Sequence, residues 1–177
     1  PNDHVNCGQS TNDVYPSAGR IALIRLLNKN ITELEKLHKA FSEKAEEFAD
    51  VIKMGRTEMQ DAVPVSFGQV FNAYATAVLR DIKRFALAAE AMSHLNMGGT
   101  AVGTGINADN SYIKLIVPNL SEITGIPLKQ ANDLIDATQN LDSFVYVSGI
   151  VKSCAVTLSK IANDLRLMSS GPRTGFG

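Results

Sequence analysis

Two stretches of this sequence concentrate side chains suited to binding an anion, and each stands just before a long apolar helix pattern. The first is Asn6-Cys-Gly-Gln-Ser-Thr-Asn-Asp13. Hydroxyl, amide and backbone donors at the positive end of a helix suit a carboxylate. The same residues also read as a helix cap, for which a single Ser, Thr or Asn is enough. The second is Gly55-Arg-Thr-Glu-Met-Gln-Asp61, again either a binding stretch or a turn and cap. On the residues alone both readings stay open. A third stretch, Gly98-Gly-Thr-Ala-Val-Gly-Thr-Gly105, looks suited to phosphate. It lacks the Gly-Lys-Ser/Thr ending and the preceding buried strand of a P-loop, and it is not a dinucleotide fingerprint. His4, His38 and His94 are scattered, and no Cys/His group has zinc-like spacing, so no metal site is expected. His38 and His94 sit in helical stretches and read as surface or packing residues. Cys154 lies among apolar neighbours and reads as inert core. No Ser/His/Asp grouping can be defended.

These residues must be positioned by helices. Ile21, Ile24, Leu27, Ile31, Leu34, Leu37, Phe41, Ala45 and Phe48 recur every three or four residues, predicting one helix over 12–50. At 1.5 Å per residue it would run about 58 Å, which points to a bundle. Ser10, Thr11 and Asn12 offer caps, and Pro16 lies near enough to the start to be tolerated. A second helix is predicted over 66–96 and a third over 141–169. The third is apolar on nearly every side and should have partners on most faces; Gly149 within it suits close packing. Ile24, Leu27, Ile31, Phe71, Val78, Ile150 and Leu158 are the expected buried positions. Shorter helices are expected over 111–124, interrupted by Pro118, and over 131–138. Strand signals are confined to 50–54 and 62–65, and the breaks are the glycine-rich stretches 98–105 and 171–177. The fold class is all-α, a long-helix bundle. Its wide apolar faces predict an oligomer, or further segments of the same chain, to cover them.

Composition narrows the function. The 177 residues carry 17 Lys+Arg against 18 Asp+Glu, a net charge of −1, which argues against a nucleic-acid partner or a polybasic membrane surface. At 45% hydrophobic and 20% charged residues the chain is globular and not disordered. Two cysteines cannot make a disulfide framework and suggest a reducing compartment. No uninterrupted apolar run approaches the ~18–20 residues of a membrane span, and no targeting signal is visible. The expected location is cytoplasmic.

Four blocks carry a resemblance. Val5-Asn-Cys-Gly-Gln-Ser-Thr-Asn-Asp13 with Pro16 resembles the first conserved block of the fumarase/aspartase superfamily. Gly55-Arg-Thr-Glu-Met-Gln-Asp-Ala62 resembles the second, and Gly98 to Asn107 the glycine loop that follows. Ile161-Ala-Asn-Asp-Leu-Arg-Leu-Met-Ser-Ser-Gly-Pro-Arg173 is similar to the segment leading to the signature loop. The blocks occur in order over the whole chain. Asn163–Arg173 and Asp136-Ala-Thr-Gln-Asn140 are most similar to the aspartate ammonia-lyase branch.

The resemblance implies a homotetramer, with central domains joined in one helical bundle and active sites each assembled from three subunits. The implied reaction is reversible anti elimination of ammonia from L-aspartate to fumarate. A base removes the C3 proton, and preorganised donors hold the resulting aci-carboxylate. Ser10 and Thr11 match donors to the carboxylate where charge develops. Asn12 matches a position near the amino group, and Thr57 one that holds the other carboxylate. Glu58 matches a position facing the amino group, where His or Gln is usual, and Gly8 stands where serine is common. No metal or organic cofactor is implied. The serine base, with a substrate-binding Lys and Asn, is expected on a loop beyond Gly177. The chain therefore reads as a central helical-bundle piece, 1–177, holding binding groups without the base and inactive alone. Two other readings stand beside this one: a class II fumarase or another dicarboxylate lyase of the superfamily, and a non-catalytic helical oligomerisation module.

Overall fold

The computed structural model describes residues 3–171 and 175. In chain order the elements are α1 (Thr11–Glu47), β1 (Ile52–Thr57), β2 (Gln60–Ser66), α2 (Phe67–Met92), β3 (His94–Leu95), α3 (Asn110–Thr124), β4 (Lys129–Gln130), α4 (Leu134–Gln139) and α5 (Asp142–Met168). The three long helices begin and end within about one turn of their predicted bounds. The fold is dominated by helix, with little sheet. The glycine-rich stretch 171–177 lies mostly outside the described residues. The chain divides into two compact units, Pro1–Lys29 with Ala86–Ser148, and Asn30–Phe85 with Gly149–Gly177.

In the first unit α1 buries Asp13, Ser17, Arg20, Ile24 and Leu27, spaced by three or four as one helical stripe. The stripe is polar at its start and apolar after Arg20. The Arg20 guanidinium lies 5.1 Å from the centre of the Phe144 ring, and Nη1 approaches the Met92 sulfur at 3.9 Å. Burial lowers the Arg20 pKa, against the opposing pull of Asp142. Asp109 caps α3 and Asp133 caps α4 through backbone N–H groups of the first turn. The side-chain amide of Gln130 donates to the carbonyls of Met97 and Ile113, at 2.9 and 3.0 Å. It thereby ties the start of the glycine loop to α3.

In the second unit Leu34 and Phe41 of α1, Tyr74, Ala75 and Val78 of α2, and Cys154 and Ile161 of α5 are buried. Phe41, Phe71 and Tyr74 form a ring cluster with centroids 5.7–6.2 Å apart. The His38 ring donates to the Ala75 carbonyl at 3.0 Å, a packing role. Asp81 is buried against Arg84 at 2.7 Å.

Several expectations need correction. Ile24, Leu27, Val78 and Ile150 are buried, but Ile31, Phe71 and Leu158 are half-buried. Gly149 has nothing within 4 Å of where a Cβ would be, so no close packing requires it here. The weak strand signals belong to a full antiparallel hairpin of β1 and β2. Helix α5 buries Val147, Ile150, Cys154 and Ile161, while Val145 and Val156 stay 69% and 63% exposed. Within this one chain a single stripe of α5 is covered. By length and composition α5 is also apolar enough to cross a membrane, with a mean hydropathy of 1.3 over an 18-residue window. A core helix of a soluble protein passes the same test.

An exposed stripe of this kind predicts self-association, because contiguous apolar surface drives burial. Light scattering of the 177-residue chain at micromolar concentration should show a dimer or larger, and a stable monomer would contradict this. A second expectation concerns Tyr74, whose hydroxyl donates to Asp164 Oδ2 at 2.9 Å. Burial first, then that carboxylate, raise the phenol above its ordinary range. In the unfolded chain Tyr ionises near pH ~10. Above that pH the unfolded state gives up a proton that the folded state keeps, so stability falls as pH rises. Unfolding curves taken from pH 8 upward should show this decline, and Tyr74→Phe should make it shallower.

Candidate functional site

The first candidate stretch enters α1 through a reciprocal cap. Ser10 Oγ accepts from the Asn12 N–H at 3.1 Å, and Asp13 Oδ1 accepts from the Ser10 N–H at 2.9 Å. This is the capping-box arrangement with Asp in place of Glu. Because Ser10 Oγ spends a lone pair on the cap, its own proton stays available to donate. Thr11 is exposed, and its hydroxyl has no hydrogen-bond partner among the described residues. The Asn12 side chain donates through Nδ2 to the Ala101 carbonyl at 2.7 Å. A carbonyl only accepts, so this contact fixes the amide with Oδ1 turned away from the loop.

Asp13 is the residue that sequence reasoning missed. It is 0% exposed, and its Oδ2 accepts from the backbone N–H groups of Gly98 and Thr100, at 3.3 and 2.9 Å. The glycine loop is therefore no phosphate cradle: two of its amides are spent on Asp13, and those of Gly103 and Gly105 on the Gly99 carbonyl. Gly98 has φ +94° and Thr100 φ +59°, the latter an outlier for a β-branched residue. A signal was available. Stepping back from Leu27 and Ile24 by three and four lands on Arg20, Ser17 and Asp13, which puts charge on a buried stripe.

Gly8 also has a physical counterpart. A Cβ there would lie 3.1 Å from two carbons of the Tyr112 ring. A side chain here would need the Tyr112 ring, in the first turn of α3, to give way by a few tenths of an ångström. Burial, and then the Asp13 charge, raise the Tyr112 pKa.

The second stretch forms the tip of the β1–β2 hairpin, not a helix cap. Arg56 pairs with Asp61 and Thr57 with Gln60, and an Arg56–Asp61 ion pair at 3.4 Å supports the register. Glu58 and Met59 make the two-residue turn with φ +49° and +62°. A type I′ turn of this kind ordinarily takes Asn-Gly, so two non-glycine residues here hold strain at the tip. Thr57 and Glu58 are both exposed. The cap of α2 is made further on, where Ser66 Oγ accepts from the Gln69 N–H and Gln69 Oε1 from the Ser66 N–H.

Ser10, Thr11 and Asn12 belong to the first unit, and Thr57 and Glu58 to the second. Among the described residues no group of three or more His, Cys, Asp or Glu comes together as a metal site.

These blocks correspond to known proteins. The Lyase family matches residues 1–177, and the chain belongs to that family. It is 54% identical over 176 residues to the aspartate ammonia-lyase of Bacillus subtilis, covering 99% of this chain and 37% of that protein. With the Escherichia coli aspartate ammonia-lyase it shares 48% identity, at 99% and 37% coverage. Among solved structures, a fumarate lyase:delta crystallin from Brucella melitensis bound to cobalt superposes with a TM-score of 0.96 at 51% identity, covering 99% of this chain and 38% of that one. A class II fumarase from Schistosoma mansoni superposes at 0.90 with 32% identity, at 99% and 40% coverage. The chain thus spans well under half the length of these relatives.

Backbone strain at the hairpin tip predicts that Met59→Gly raises the unfolding free energy by about 1 kcal/mol, since glycine adopts positive φ freely. Met59→Val should lower it. Chemical denaturation of both variants checks the sign.

Proposed function

We propose that this chain is the central helical part of an aspartate ammonia-lyase, which reversibly eliminates ammonia from L-aspartate to give fumarate. The observation that carries the reading is the 48–54% identity to aspartate ammonia-lyases over 99% of the chain. At the start of α1, Ser10 and Thr11 supply hydroxyl donors beside a positive helix end. They suit the carboxylate next to C3. When a base takes the C3 proton, the electron pair moves onto that carboxylate, and donors fixed in advance hold it. The pair then returns to form the C2–C3 double bond as the C2–N bond breaks and ammonia leaves. Asn12 Oδ1 serves as an acceptor for the substrate amino group, and Thr57 as a donor to the other carboxylate. The base, and the groups that complete the site, belong to other parts of a longer, homotetrameric protein acting in the cytoplasm. In that assembly the exposed faces of α5 are covered by other subunits.

Glu58 favours the amino-acid substrate over malate. A carboxylate ~4 Å from an ammonium attracts it by about 4 kcal/mol at an effective dielectric of 20, and by about 1 kcal/mol in bulk water. Because Glu58 is exposed, the lower figure is the better guide. Malate offers only a hydroxyl with the same two negative charges, which Glu58 repels. A class II fumarase is the second reading, and the 32% identity to the Schistosoma fumarase supports it less.

Assays of the full-length enzyme with L-aspartate and L-malate separate the two: aspartate should be deaminated, and hydration of fumarate without amination would defeat the proposal. Glu58→Gln should raise the KM for aspartate about fivefold with kcat little changed, the equivalent of about 1 kcal/mol. Thr57→Ala should cost more in kcat/KM, because a carboxylate loses a direct donor. Unchanged aspartate kinetics in Glu58→Gln would remove the charge argument.

A further inference from the structure

The Asp13 carboxylate does more than cap a helix. A cap needs one acceptor, and Oδ1 supplies it to the Ser10 N–H. Oδ2 is committed to Gly98 and Thr100, 85 and 87 residues further along the chain. The segment gripped in this way is the one that holds Asn12. Its Ala101 carbonyl accepts from Asn12 Nδ2 at 2.7 Å, and Asn96 Nδ2 donates to the Asn12 carbonyl at 3.0 Å. Thr100 sits in a strained conformation at φ +59°, with its hydroxyl oxygen buried and unpartnered. The hydrogen bond from its backbone N–H to Asp13 Oδ2 helps hold it there.

We propose that Asp13 is a positioning residue: by gripping the 98–101 loop it keeps the Ala101 carbonyl against Asn12, so that Asn12 presents Oδ1 and not Nδ2 to the substrate amino group. This rests on the reading that Asn12 meets that group. The chemistry turns on a sign. An amide oxygen attracts an ammonium, whereas the same amide rotated by half a turn offers N–H donors that repel it. With the loop released, nothing fixes the rotation. Asp13 itself never touches substrate.

A double-mutant cycle in the full-length enzyme tests this. Asp13→Asn, which sets an NH2 group against backbone donors, should lower kcat/KM for L-aspartate at least tenfold. In an Asn12→Ala background the same change should cost less than threefold, because the group it positions is gone. Equal losses in both backgrounds would overturn the proposal, since a general structural defect acts whether or not Asn12 is present. Turnover of L-aspartate and L-malate by the unmodified enzyme is read separately. If only malate is accepted, the substrate reading fails and this proposal falls with it, whereas equal losses in an enzyme that deaminates aspartate overturn the positioning role alone. If Asp13→Asn does not assemble, amide exchange in the unmodified enzyme decides. Positioning implies reciprocal coupling, so saturating L-aspartate should slow exchange at Gly98 and Thr100 at least fivefold, and unchanged exchange would overturn the proposal.

Discussion

The first unit depends on one buried carboxylate surrounded by backbone amides. Asp13 receives N–H groups from Ser10, Gly98 and Thr100 and is wholly removed from water. Hydrogen bonds to a charged group contribute about 1.5–3 kcal/mol each. Those figures are already net of the bonds to water that are given up, so the three contacts stabilise the first unit as well as fix its geometry. A serine cap on α1 and an apolar residue at position 13 would hold the helix more simply. What the carboxylate adds is register: one group fixes the first turn of α1 against a loop that is remote in sequence.

Pro16 contributes to the same end by removing a donor. Lacking an N–H, it cannot bond the carbonyl of residue 12 four positions back. That carbonyl accepts from the side chain of Asn96 instead. Asn96 is buried, and it also donates to Thr138 Oγ1 and receives the Ser17 hydroxyl. A proline that reads as merely tolerated near a helix start thus opens the acceptor through which the segment before the glycine loop docks on α1.

The long helices were legible because periodicity reports burial directly, and their polar entry was legible as a cap. What could not be read was which donors the cap would share. The partners of Asp13 lie some 85 residues away, and local spacing carries no information about them. The hairpin was legible only in part, as two short strand signals at 50–54 and 62–65 with a possible turn between them. Its pairing was not legible, because the turn residues are Glu and Met and no glycine turn marks it. Its tip is set by the pairing of Arg56 with Asp61 and Thr57 with Gln60, which overrides the local preference of Glu58 and Met59. The half-buried Ile31, Phe71 and Leu158 show the limit of stripe counting. Periodicity names a face, while the depth of each position depends on what packs against it.

The same logic accounts for the substitution in the first block. Gly8 leaves room for the Tyr112 ring, which lies 3.1 Å from where a Cβ would be. A side chain at position 8 would push against an aromatic ring on α3. Removing the side chain and keeping the ring therefore belong together as one packing solution. A resemblance judged by residue type alone would count Gly8 as a lost donor. In the packed chain it is a position where any Cβ would meet the Tyr112 ring at 3.1 Å.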